Sequence, residues 1–244
     1  MEDYLKRLGL APSVSDADLA QAYEAVPAPE KGLIKNAAAL AYLVWRPWTM
    51  VPHRVVDWGS VSLEETARPA HWALFLYHPQ RFPILALTSA VVAALMARVP
   101  HVIVVAQPPV DRALLFALDF LSVPLLYHAD RVHVAELIAA LGAVGEGPII
   151  DLGLGGVPAT LRFCPEDYMV VDTLPPSPQA EAYGRVMGSL RHTDPGARAQ
   201  WYLAYGADPA VVAARYHLTD RLVGGWPWDR LSPEDFLLRT MRFA

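Results

Sequence analysis

Trp72-Ala-Leu-Phe-Leu-Tyr77 is an unbroken apolar run that stops at His78-Pro79-Gln80-Arg81, and an uncharged segment from Phe82 to Ala97 follows it. The pattern then repeats. His101-Val-Ile-Val-Val-Ala106 leads through Gln107-Pro108-Pro109 into residues 110–121, Pro124-Leu-Leu-Tyr127 leads into residues 131–141, and Pro148-Ile-Ile-Asp151-Leu152 closes the series. Short continuous apolar runs that alternate with segments of helical length mark βαβ units, because parallel strands are covered on both faces and need not alternate. The stretch from 71 to 153 therefore predicts β-α-β-α-β-α-β, an α/β fold on a parallel, Rossmann-like sheet with helices on both faces.

The helical segments differ in kind. Across 110–121 the charges Asp111, Arg112 and Asp119 leave Leu114, Leu115, Leu118 and Leu121 on one face, and Pro124 bars continuation, which predicts an amphipathic crossover helix. Residues 82–97 carry no charge at all. Sixteen residues fall short of the roughly 20 that a membrane span needs, and Arg81 and Arg98 close the two ends, so a buried helix is expected rather than a span.

At 244 residues with 54% hydrophobic content, the chain is long enough and apolar enough to bury a sizeable core. Its net charge of −5 comes without any basic block that could neutralise a phosphate backbone, so nucleic acid is not expected as a partner. Glu2, Asp3, Asp16 and Asp18 fall in the first 20 residues without an apolar core, which reads as no secretory leader. The single cysteine cannot form an internal disulfide. Together these predict a cytoplasmic protein.

Outward from the centre, the sequence predicts a helical N-terminal cap over residues 1–66. Tyr4, Leu5 and Leu8 give one short helix, Ser15 or Asp16 caps a second that ends at Pro27, and Leu33, Ala37, Leu40 and Val44 line a third that stops before Pro47. An irregular aromatic stretch with Trp45 and Trp48 follows, and 53–57 and 61–63 read as short strands. The Rossmann-like domain is placed at 67–174, bounded by Leu174-Pro-Pro-Ser-Pro178. Beyond it a helical C-terminal region, 175–244, is expected, with helices at 179–190, 197–205, 208–216 and 233–242, the last capped by Ser232. Residues 208–223 have the outline of a helix-turn-helix, but Arg215 and Arg221 are too few for a recognition helix, so a structural hairpin is the expectation there.

In an open parallel sheet, ligands bind beyond the carboxyl ends of the strands, where loops and helix N-termini converge. That rule selects candidates without any motif. His78, Gln80 and Arg81 end the first strand, Gln107 the second, His128 and Asp130 the third, and Asp151 the fourth. An imidazole titrates near neutrality, so His78 and His128, with Asp151, are the acid–base candidates. Gln80, Arg81, Gln107 and Asp130 are candidates for holding a ligand. Gly153-Leu-Gly155-Gly156 reads either as a loop approaching a phosphate or as a turn before another strand; the next segment, Thr160-Leu-Arg-Phe-Cys164, looks like a strand. Two His and two Asp could ligate a metal, but no metal is expected here. Cys164 has only Arg162 near it as a base, which predicts a packed structural thiol rather than a nucleophile.

Leu74-Phe-Leu-Tyr-His-Pro79-Gln-Arg-Phe82-Pro83, the small-residue helix after it and Val102-Ile-Val-Val-Ala-Gln-Pro-Pro109 resemble the nucleotide-binding domain of the aldehyde dehydrogenase and histidinol dehydrogenase superfamily. Leu154-Gly-Gly156 resembles a Glu-Leu-Gly-Gly segment of that superfamily, with Gly153 at the glutamate position. The resemblance covers residues 70–155. It implies a nucleotide ligand, NAD or NADP, in the crevice, with Gly153 and Gly155 beside it. No catalytic-cysteine segment or histidine and glutamate motif follows, so dehydrogenase chemistry does not carry over. The expected function is therefore a ligand-binding α/β protein or small enzyme, with a non-catalytic interaction protein as the alternative. The tryptophans Trp45, Trp48, Trp201, Trp226 and Trp228, with Tyr202 and Tyr205, lie outside the central block and predict a homodimer through the terminal regions.

Overall fold

The structure is a computed structural model that describes residues 1–57, 61–172, 177–187, 190–193, 201–205, 212, 214–218 and 223–243. Three helices open the chain: α1 (Glu2–Arg7), α2 (Asp16–Ala25) and α3 (Ala28–Trp45). Of the two caps the sequence offers for α2, Ser15 is the one used. Its hydroxyl accepts from the Asp18 N–H at 3.3 Å while the Asp18 carboxylate accepts from the Ser15 N–H at 2.9 Å, a reciprocal pair that satisfies two free donors of the first turn. An antiparallel hairpin of β1 (His53–Asp57) and β2 (Ser62–Pro69) follows.

The centre is the predicted β-α-β-α-β-α-β: β3 (Ala73–Tyr77), α4 (Ile84–Met96), β4 (Val102–Ala106), α5 (Arg112–Phe120), β5 (Leu125–His128), α6 (Val134–Gly142) and β6 (Ile149–Leu152). A short β7 (Leu161–Arg162) extends it. The five strands are parallel in the order β5-β4-β3-β6-β7, and every residue of β3 and β4 is buried, which is why their sequences run apolar without alternation. Phe75 and Val104 share one face with α4 and α5, while Leu74, Leu76 and Ile103 share the other with α6 and Leu5 of α1. Helices therefore cover both faces.

From Ile84 to Ala94 every residue of α4 is buried. The sheet lies on one side of it, α3 packs along another, and the C-terminal segment closes the rest: Ser89 Oγ donates to the Trp226 carbonyl at 2.6 Å, and Trp228 Nε1 to the Ala86 carbonyl at 3.1 Å. A helix surrounded in this way needs no polar face. Among the described residues no helix is long and apolar enough to cross a membrane.

The C-terminal region departs from the helical expectation. It contains β8 (Val170–Asp172), α7 (Pro178–Met187), β9 (Arg191–His192), β10 (Trp201–Tyr205), β11 (Ala214–Leu218) and β12 (Leu237–Phe243). Only α7 matches a predicted helix. β8 to β11 form a second parallel sheet, ordered β11-β10-β8-β9, and β12 returns to pair antiparallel with β2. Tyr202, Leu203, Ala204 and Tyr205 are all buried, so β10 reads as a continuous apolar run that periodicity alone cannot tell from a helix. Ser232 does act as a cap, but for a 3-10 turn, Pro233–Phe236, after which Leu237-Leu-Arg-Thr-Met-Arg-Phe243 enters the sheet. The helix-turn-helix outline is likewise replaced where the structure describes it, since Ala214–Leu218 is a strand; residues 206–211, 213 and 219–222 lie outside the described residues.

Most of the described aromatics expected at a subunit interface pack within the chain. Trp226, Trp228, Tyr202 and Tyr205 are buried, and Trp45 and Trp48 pack half-buried against the same core; the Trp201 side chain lies outside the described residues. Trp226 and Trp228 stand 5.8 Å apart at ring centroids and both contact Tyr168. The C-terminal segment buries them because it folds back over α4, a contact that no local pattern announces.

Candidate functional site

β3 and β6 are neighbours in the sheet, yet β3 leaves through α4 on one face and β6 arrives from α6 on the other. Their carboxyl ends thus flank the topological switch point, where an open α/β sheet leaves a crevice. The two ends are tied together. The His78 N–H donates to the Leu152 carbonyl at 3.1 Å, Tyr77 bridges antiparallel to Gly153, and Arg81 donates through its guanidinium to the Gly153 carbonyl at 3.0 Å. Gly153 has φ +86°, which favours glycine, and a Cβ there would also crowd the Arg81 Cβ at 3.0 Å.

Asp151 at the end of β6 is 1% exposed and, among the described residues, is the one charged side chain in the buried set. One carboxylate oxygen accepts from the Gly155 N–H at 3.0 Å and the other from Arg162 Nε at 2.8 Å, while Arg162 also donates to the Val157 carbonyl at 2.8 Å. Asp151 therefore shapes the glycine loop. That loop is the turn before a strand, since β7 follows it.

Beside it lies a cleft of about 330 Å³, lined by Arg81, Asp151, Gly153, Gly155, Arg162, Phe163, Cys164, Asp167 and Arg230. Arg230 comes from the far C-terminal segment, 3.7 Å from the Asp167 carboxylate and 3.3 Å from the Tyr168 hydroxyl. Cys164 corrects the sequence expectation: it is exposed, because β7 ends at Arg162 and leaves the thiol on the rim. Its thiol donates to Glu166 Oε2 at 2.8 Å, and that bond, with burial and the charges of Glu166 and Asp167, pushes its pKa up. At neutral pH it is a thiol and not a thiolate.

The sequence candidates divide between two places. Arg81, Asp151, Gly153 and Gly155 meet at the cleft, with His78 and Gln80 on the adjoining turn. Gln107, His128 and Asp130 do not join them. Gln107 is held by its N–H to the Tyr77 carbonyl at 2.9 Å, and His128 ends β5, three strands from β6 and so about 14 Å away at ordinary strand spacing. There the His128 N–H donates to Ser13 Oγ at 2.9 Å, and the Ser13 N–H in turn donates to the Leu126 carbonyl at 2.8 Å, so the segment before α2 covers that edge of the sheet. Among the described residues no group of three or more His, Cys, Asp or Glu could hold a metal ion. Applied to the four predicted strands, the strand-end rule leaves out Arg162 and Arg230: Arg162 ends the short β7 beyond those four, and Arg230 lies 68 residues further on.

Burial, then Arg81, lowers the pKa of His78; burial, then Arg131, lowers that of His128; burial, then the chain N-terminus, lowers that of His101. A histidine with a depressed folded pKa stabilises the fold fully above its unfolded pKa of about 6.5, and loses that contribution as pH falls through the folded value. Urea midpoints are therefore expected to fall from pH 7.5 to pH 5, with a shallower fall in His78→Gln and His128→Gln variants. A midpoint flat across that range would contradict these environments.

The fold and the crevice define an α/β protein with a Rossmann-like parallel sheet. No family model matches the sequence, and no curated protein does. Among solved structures, histidinol dehydrogenase from Elizabethkingia anophelis is similar, with a TM-score of 0.54 at 11% identity, over 94% of this chain and 76% of that one. At that identity the likeness speaks for the fold alone, and it extends well past residues 70–155.

Proposed function

We propose that the protein binds an anionic, nucleotide-type small molecule in the cleft at the carboxyl ends of β3, β6 and β7. The observation that carries this is the convergence of Arg81, Arg162 and Arg230 on one cleft at the switch point. Guanidinium groups offer planar, forked donors suited to phosphate and carboxylate, and three of them here face two carboxylates, Asp151 and Asp167. A volume of about 330 Å³ lies at the small end of ligand sites, enough for part of a dinucleotide or a whole mononucleotide headgroup. The superfamily resemblance favours NAD or NADP. Asp151 is tied to the Gly155 N–H and to Arg162, and among the described residues no histidine lines the cleft, so binding is the activity we assign to it.

A thermal-shift panel of NAD, NADP, ATP, CoA and flavins tests this. A ligand that binds only the native state stabilises by about 2.7 kcal/mol at a hundredfold excess over Kd. Arg81→Ala and Arg230→Ala should remove the shift. Because Cys164 is the single cysteine and lines the same cleft, the ligand should also slow its alkylation by iodoacetamide. No shift at millimolar concentration, with alkylation unchanged, would reject the proposal and leave the interaction-protein reading.

A further inference from the structure

We propose that the protein forms a two-fold dimer by antiparallel pairing of β1 with the β1 of a second copy. β1 pairs with β2 on one side, and His53, Arg54, Val55 and Asp57 are exposed, with Val56 half-buried. Ladder alternation decides which groups are free. The Ala67 N–H donates to the Pro52 carbonyl at 3.0 Å, so in this register Arg54 and Val56 bond to β2, and the N–H and C=O of His53, Val55 and Asp57 point away from it.

Residues bonded across a new antiparallel edge must both point outward. The register that uses all three is centred on Val55. It sets Val55 against Val55 of the second copy and His53 against Asp57 at both ends, while Arg54 faces Val56, so no like charges are opposed. β1 holds no lysine or proline, its charged residues Arg54 and Asp57 are of opposite sign, and its middle is the β-branched pair Val55-Val56.

The opposite edge of the same sheet is built the other way. The Ala70 N–H donates to the Phe236 carbonyl at 2.8 Å, so Leu237, Arg239, Met241 and Phe243 of β12 face outward. Two copies of β12 brought together would gather Arg242 from each, with no acidic residue on the strand to offset it, although Arg239 is already paired with Glu65 and Glu234. Pairing β1 with β12 of another copy would be head-to-tail, an arrangement that does not close unless its rotation happens to complete a ring. The self-complementary edge is therefore β1, and its closed product is a six-stranded sheet across a two-fold axis. A five-residue edge buries little area, which makes the association weak and reversible.

Sedimentation equilibrium across the micromolar range tests this. The mass should rise from the 26.8 kDa of one chain towards twice that value and stop. Val55→Pro removes an outward N–H and no bond to β2, so it should abolish the dimer while leaving the circular dichroism of the monomer unchanged. Asp57→Lys sets a cation opposite His53 and should weaken the dimer by about tenfold, which keeps the test decisive should Val55→Pro not fold. A mass of 26.8 kDa at every concentration overturns the proposal, as does a dimer that both variants leave intact. Growth beyond the dimer overturns the two-fold arrangement in favour of head-to-tail pairing.

Discussion

Trp226→Ala is expected to destabilise the protein by about 3–5 kcal/mol, the range for emptying a large aromatic site in a close-packed core. The indole is 0% exposed and stands between Trp228, Tyr202 and Tyr168, with ring centroids at 5.8, 5.8 and 6.2 Å. Its backbone carbonyl, which accepts from Ser89, is untouched by the change, so the loss reports side-chain packing alone. At about 2–4 °C per kcal/mol for a chain of this size, the melting temperature should fall by about 6–20 °C. Trp226→Phe should cost less, because the indole N–H is buried without an acceptor among the described residues and its removal leaves no donor stranded. A Trp226→Ala protein of unchanged stability but altered oligomeric state would instead place the side chain in an interface and contradict the packing described here.

Asp151→Ala should cost about 2–3 kcal/mol, as two hydrogen bonds to a charged acceptor are lost from a buried site. The discount from the full value for a broken buried ion pair comes from Arg162, whose side chain is 58% exposed and is re-solvated when its partner goes. Asp151→Asn keeps an acceptor for the Gly155 N–H and gives up the charge, so about half the loss is expected. Chemical denaturation of the two variants separates these contributions. Equal losses would mean that the Arg162 pair, and not the bond to Gly155, holds the loop. No loss in either would mean that the glycine loop is fixed by other contacts, and the cleft should then keep its ligand affinity.

The central block is legible because each of its signals is local. Leu74, Phe75 and Leu76, or Ile103, Val104 and Val105, are consecutive apolar residues with proline, histidine or glutamine at the ends, and parallel strands covered on both faces read that way. The same logic misleads at β10. Tyr202-Leu-Ala-Tyr205 of β10 is another covered run, lying between β8 and β11, but in the sequence it falls within 197–205, whose apolar residues read as helix. Ser232 is the expected cap and pairs with Asp235 in a capping box, but on a turn too short to become a helix. Cys164 departs from expectation because burial of a free cysteine is a tendency of composition, whereas its exposure comes from a strand that ends two residues earlier.

Of the candidate site, the strand-end rule finds Arg81, Asp151, Gly153 and Gly155, all of which sit beside one another at the switch point. It cannot separate them from His128 and Asp130, since those also end strands; the distance between the two groups is set by strand order, which the sequence does not spell out. Strand composition by itself determined the parallel sheet, its helices and the place of its crevice, because burial on two faces leaves an apolar run in the chain. Only the tertiary structure decided that α4 is enclosed by α3 and Trp226, that β12 returns to β2, and that Arg230 meets Arg81 and Arg162 across one cleft. Those contacts join residues far apart in the chain, and their energy comes from packing and charge between surfaces that no local period records.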